Sequence, residues 1–300
     1  MATKPGDRIR PWRPLNQGIA NQDCPWGEHD EMTKPNMAIR FTKASACGND
    51  FLIVAGTDIP GDLSDLTRRL CDRHNGVGAD GVEWMFPDPQ ADAMARLINA
   101  DGSPAEISGN GTRCVAAEIC SRGDHPLAPA RDIVVRTGAG LKTCRLLSVH
   151  GATFEFETGM GDAVVGAQCA IKSGPVSVTG IGISTGNPHF VILADSFPAE
   201  WQRDAAIIQK QSAFPEGTNV EFVVVRGPHE IEIRLFERGV GETRSSGTGS
   251  CAAAVAAIVA QRVTSPVTVV APGGAQTVNW NDQVYLRGSA TLICKGEFFV

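Results

Sequence analysis

Two stretches of this chain, 138 residues apart, carry nearly the same message, and that duplication restricts the fold to one containing two copies of a unit. Residues 96–111 read RLINADGSPAEISGNG and residues 234–249 read RLFERGVGETRSSGTG, each ending in Ser-Gly-x-Gly ahead of an Ala-rich run. The same offset sets Asn49 on Asn187 and lays Gly81-Val82-Glu83 over Asn219-Val220-Glu221. Three blocks in one register predict two similar halves about a pseudo-two-fold axis, with Ser108 and Ser246 facing each other. At roughly 150 residues per domain, the 300-residue chain has room for both.

Local patterns set what each half contains. Residues 38–56 alternate and then run apolar, predicting two short strands around a turn that holds Asn49. Leu63, Leu66 and Leu70 at helical spacing, after Asp62 or Ser64 as cap, predict a helix ending near His74. Strands are expected at 82–86, 95–99, 220–225 and 231–237, hairpins over 133–159, and a helix around 198–211. A Gly-rich loop over 100–111 leads to a buried helix over 112–121, and its copy leads to a helix from Gly249. Helices do not alternate strictly with parallel-strand signals, so the expected class is α+β, with strands wrapped about one central helix per half.

A strand that breaks into Ser-Gly-x-Gly and then a helix leaves backbone N–H groups without intrahelical partners, at the positive end of the helix dipole. Two such ends converging can hold one carboxylate and stabilise charge that develops when a neighbouring proton leaves. Ser is also a common N-cap, which is the plainer role for Ser108 and Ser246.

Composition narrows the partners. A net charge of −6 without a long Lys/Arg cluster argues against nucleic acid and for a small polar ligand. Nine cysteines without CxxC pairs fit reduced thiols in the cytoplasm, and no His/Cys/carboxylate spacing suggests a metal. No segment approaches membrane-spanning length. Residues 1–36 read as a disordered or non-native leader, polar and Pro-rich, with Met37 directly before the first strand.

The motifs GNDF, DRHNGVGADG, NADGSPAEISGNGTRC, GNPH, NVEF and ERGVGET followed by SSGTGSC occur in one order from Met37 to Val300. In that order they resemble the diaminopimelate epimerases, pyridoxal-free enzymes of lysine and peptidoglycan biosynthesis. The resemblance implies two halves, each a β-barrel-like sheet around a central helix. The first half spans 37–159 and 287–300, the second 160–286, and the last strand returns to the first half. It implies no cofactor, an amino-acid substrate and a cytoplasmic homodimer. Carried over by motif, Asn49, Asn99, Asn187, Asn219, Glu237 and Arg238 contact the substrate's amino and carboxylate groups. Gly109, Asn110, Gly247 and Thr248 supply the paired helix-start donors.

The chain departs from this family at the two proton carriers, which are cysteines in the family and Ser108 and Ser246 here. A hydroxyl is not ionised near neutrality and must borrow a base. His74 and His189 are candidate helpers, because imidazole accepts a proton near neutral pH. Cys114 and Cys251 lie too far into their helices to substitute. Three readings follow for the Ser pair: an introduced Cys-to-Ser change, a natural Ser assisted by a base, or binding without turnover. Three functions stay open: two-base epimerisation of LL- and meso-diaminopimelate, a racemase, isomerase or dehydratase of another amino acid, and a catalytically silent binder.

Overall fold

The computed structural model describes residues 38–300 apart from 58, 60 and 124–130. The expected leader over 1–36 lies outside the described residues. In the first half, strands β1 (Ala38–Ala46), β2 (Asn49–Ala55), β3 (Gly81–Phe86), β4 (Ala93–Asn99), β5 (Pro104–Ala105), β6 (Asp132–Thr137), β7 (Gly140–His150) and β8 (Thr153–Gly161) accompany helices α1 (Leu63–Cys71) and α2 (Gly109–Ser121). The second half has β9 (Val164–Ser173), β10 (Val176–Ser184), β11 (Pro188–Ala194), β12 (Asn219–Gly227), β13 (Glu230–Glu237), β14 (Gly241–Thr243), β15 (Val267–Ala271) and β16 (Gly274–Trp280), with α3 (Trp201–Gln209) and α4 (Gly247–Val259). The long β17 (Val284–Phe299) belongs to both.

Pairing closes β1, β2, β3, β4, β6, β7, β8 and β17 into a ring, since β17 bonds β8 along one stretch and β1 along another. Around α4 the strands run β9, β10, β11, β12, β13, β15, β16 and β17, each bonded to the next. The repeat is visible in the register. Parallel pairing of Phe51 with Gly81 recurs as His189 with Asn219, and Leu97 with Ala105 recurs as Leu235 with Thr243. Helices α2 and α4 occupy equivalent positions, each inside its own sheet.

Small side chains explain how a helix sits inside a ring of strands. In α4 every residue from Cys251 to Ala257 is fully buried, and five of these seven are Ala, which has the highest helix propensity and leaves room for strands on all sides. The cluster around α2 mixes Cys114, Val115, Ala116 and Ala117 with Ile133, Leu146 and Phe156 from the surrounding strands. Helices α1 and α3 cover the outer faces. Leu66 and Leu70 pack on Trp84, whose indole N–H donates to Thr67 Oγ1 at 3.0 Å.

Several expectations need correction. The β1–β2 turn is Cys47-Gly48, both at positive φ (49° and 79°), so Asn49 opens β2 opposite Ala46 and is not a turn residue. Both central helices begin at the first Gly of Ser-Gly-x-Gly, earlier than 112 and 249, because Ser108 and Ser246 cap them. Strands β9, β10 and β15 had no counterpart in the sequence reading, and β5 and β14 lie within stretches read as loops. The expected boundaries after 159 and before 287 fall inside β8 and β17. No helix among the described residues is long and apolar enough to cross a membrane.

Dense packing around α4 leads to a first prediction. Ala254→Leu adds volume where none is free and is expected to destabilise the protein by about 1–3 kcal/mol, read as a lower urea midpoint. An unchanged midpoint would contradict a close-packed central helix.

Candidate active site

The sequence of each strand-to-helix junction builds the site. Ser108 and Ser246 hold extended backbone, and their hydroxyls accept from Gly111 N at 3.0 Å and Gly249 N at 3.3 Å. Their carbonyls take the next donors, Thr112 N and Ser250 N. Among the described residues this leaves the N–H groups of Gly109 and Asn110 on α2, and of Gly247 and Thr248 on α4, without a protein acceptor. These are the donors an anion would meet.

The two junctions touch. Asn110 Nδ2 donates to Ser245 Oγ at 2.8 Å and to Asn49 Oδ1 at 2.7 Å, and Ser245 Oγ lies 3.2 Å from the same Asn49 oxygen. Asn49 Nδ2 in turn donates to Asp80 Oδ2 at 3.2 Å. Behind Asn110, its Oδ1 accepts from the buried Arg113 guanidinium, which fixes the orientation of the amide. Ser245, immediately before the second cap, is thus tied to the first turn of α2.

Other candidate residues are held mainly by protein partners. Asn99 donates to Ser103 Oγ at 3.1 Å in the loop after β4. Asn219 Nδ2 donates to Pro188 O, while its Oδ1 accepts from Arg238 N at 2.9 Å. Arg238 reaches Glu216 O at 2.8 Å. Ser246 Oγ lies 3.4 Å from both Glu237 Oε2 and Thr248 Oγ1, so Ser246, Glu237 and Thr248 form one cluster. Asn187 Nδ2 reaches the same Thr248 hydroxyl at 3.5 Å.

The two histidines have different surroundings. His74 is exposed after α1, and no hydrogen bond among the described residues joins its ring to Ser108. His189 is buried, with Nε2 2.8 Å from Asn187 Oδ1 and Nδ1 2.6 Å from Glu221 Oε1. The two ring nitrogens of His189 thus bridge the Asn187 amide and the Glu221 carboxyl. Burial raises the Glu221 carboxyl, opposed by His189, and Glu221 Oε2 has no partner among the described residues. His189 reaches Ser246 only through Asn187 and Thr248. Glu106 and Glu242 are exposed loop and edge charges.

Sequence reasoning missed Asp80, Arg113, Ser245 and the two buried carboxylates Glu83 and Glu221. The repeat had aligned Glu83 with Glu221, which was the available signal. Glu83 is 3% exposed, and burial alone pushes its carboxyl up to about 8. The buried cysteines Cys114 and Cys251 are likewise pushed up by burial, Cys251 to about 12, so neither thiol ionises near neutrality. A cavity of about 260 Å³ between β7, β8, β16 and β17, lined by His150, Glu155 and Arg287, contains none of the candidate residues.

Two sheets, each enclosing a helix, with their capped helix starts in contact, form an architecture that recurs in solved proteins of low sequence identity. A hydroxyproline epimerase from Agrobacterium vitis, solved with trans-4-hydroxy-L-proline, has this fold at a TM-score of 0.63 and 16% identity over 88% of this chain and 93% of its own. The diaminopimelate epimerase family profile matches residues 41–165 and 181–293. Diaminopimelate epimerases of Pelotomaculum thermopropionicum and Desulforudis audaxviator are each 37% identical over 87% of this chain and 99% of their own length. The chain belongs to the diaminopimelate epimerase family, and in class it is an isomerase.

The Glu83 shift has a consequence for stability. The unfolded chain releases this proton near its ordinary 4.5, whereas the folded chain keeps it to about 8. Stability from this group is therefore fully present below about 4.5, falls as pH rises to about 8, and is level beyond. Glu83→Gln is expected to flatten a slope of up to about 1.4 kcal/mol per pH unit, measured by urea unfolding across that window. Identical slopes in both proteins would show that Glu83 is not desolvated.

Proposed function

We propose that the protein binds a diaminopimelate-type amino acid at the paired helix starts and inverts its α-carbon, with Ser108 and Ser246 on opposite faces. The observation that carries this reading is the contact between Asn110 and Ser245, which brings two capped helix starts together with four N–H groups unclaimed. Those donors suit the carboxylate at the reacting carbon and strengthen as charge moves onto it. Asn49, Asn99, Asn187, Asn219, Glu237 and Arg238 fit recognition of the amino and carboxylate groups, since Glu pairs with an ammonium and Arg grips a carboxylate.

On this reading no cofactor takes part, and one Ser removes the α-proton while the other delivers a proton to the opposite face. The enzyme acts in the cytoplasm in lysine and peptidoglycan biosynthesis. Exposed Ile293 and Phe299 on β17 support a homodimer. A catalytically silent binder is the second reading. It is favoured by one observation: both hydroxyls serve as cap acceptors, and the neighbouring thiols are buried.

Incubation with LL-diaminopimelate in deuterated water separates the two, because exchange with meso product requires turnover, whereas calorimetric binding does not. Replacing both Ser108 and Ser246 with Cys is expected to raise exchange by at least about 100-fold, since a free thiol ionises near 8.5 and needs no partner base. If neither the natural chain nor the double variant binds diaminopimelate, the assigned ligand is wrong.

A further inference from the structure

The repeat places a carboxylate beneath each helix start but gives it different company in the two halves. Glu221, on the α4 face of β12, pairs with His189 on β11. Its counterpart Glu83, on the α2 face of β3, has Phe51 on β2 where the second half has His189. No ion pair or hydrogen bond to the Glu83 carboxyl occurs among the described residues, and burial desolvates it.

Glu83 is also beside the first cap. A methyl built on Gly111 would stand 2.0 Å from Glu83 Oε1 and 3.3 Å from Ser108 Cβ, so the carboxyl and the serine flank one α-carbon. Glycine is required there because the carboxyl occupies the space a side chain would need. In the second half, a methyl on Gly249 would meet Glu221 Oε1 at 3.0 Å and Ser246 Cβ at 3.2 Å. The same carboxylate, glycine and serine recur, but only Glu83 lacks an imidazole to engage it.

We propose that Glu83 is the base behind Ser108: as the serine hydroxyl takes the α-proton of the bound amino acid, its own proton passes to the Glu83 carboxylate. The C–H bond breaks with its electron pair left on carbon, a new O–H bond forms at Ser108, and the old one is replaced by O–H on Glu83. The reverse sequence reprotonates the carbon and restores the carboxylate, so no external reagent enters. Concerted transfer avoids a free alkoxide. Glu83 acts through Ser108, as a positioning residue. This proposal rests on the amino-acid reading above and supplies the base that reading lacks on the α2 side.

Charged and titratable neighbours leave Glu83 unclaimed. On α2, Arg113 is engaged by Asn110 and Cys47, and burial holds Cys114 as a neutral thiol. On β2, Asp50 pairs with Lys43 and Arg73; on β4, Arg96 lies over the Phe86 ring.

The test compares four proteins for α-deuterium exchange into diaminopimelate: the natural chain, Glu83→Gln, Ser108→Cys, and the two changes together. The expected result is a loss of at least about 100-fold for Glu83→Gln, with little change in half-saturating substrate. The natural chain's rate should rise with pH toward about 8. In the Ser108→Cys background, Glu83→Gln should cost little, because a thiol needs no helper. Equal losses in both backgrounds, or no loss in either, overturn the proposal by marking Glu83 as purely structural. Melting curves identify a Gln variant that fails to fold, and Glu83→Asp in both backgrounds then provides the same comparison. A natural chain that binds diaminopimelate without exchanging it also overturns the role of Glu83 and leaves the ligand standing. Absence of binding overturns the underlying reading itself.

Discussion

The hydrogen bonds that Asn110 makes at the junction of the two halves are the constraint on which the rest of the site depends. Its amide nitrogen reaches Ser245 and Asn49, while its oxygen receives the buried Arg113. Arg113 is 1% exposed; its Nη2 reaches Asn110 Oδ1 and Cys47 Sγ, while its Nε has no partner among the described residues. Removing one member of such a network leaves buried polar groups unsatisfied, which is more costly than the net worth of one bond. Alignment of the helix starts therefore depends on polar chemistry, while apolar packing fixes the helices that carry them.

Duplication explains the architecture, and divergence between the copies explains where chemistry can differ from side to side. A strand, a Gly-rich junction and an Ala-rich helix occur twice in matching register. Within that frame, Phe51 and His189 occupy equivalent places and give the carboxylates below them different environments. One is paired with an imidazole; the other is desolvated and unpaired. Burial raises both carboxyls, and only at Glu221 does a neighbouring imidazole oppose it.

Much of this was legible before any coordinates. The Ala-rich runs marked both central helices, and the 138-residue offset paired their openings. Their first residues were misplaced because Ser-Gly-x-Gly has loop composition, although the serine makes the helix begin there. Strand β9 went unread because seven of its ten residues are exposed and only Cys169 and Ile171 turn toward the core. Glu83 was passed over for the opposite reason: a glutamate in a strand looks solvated, and only the packing of α2 against β3 buries it. Asp80 and Ser245 belong to the site through contacts 31 and 135 residues away in sequence, distances at which local patterns are silent.

Strand β17 has a bearing on how the molecule comes into being. It pairs with β16, β8 and β1 along its sixteen residues, and it is the stave that closes the first barrel. During synthesis, β1 and β8 emerge long before their common neighbour, so the earliest-made half waits with two unpaired edges until the second half is complete. Open edges invite wrong partners, and contacts this distant in sequence form slowly. The nascent chain therefore passes through a long interval in which half of it is written and none of it is sealed.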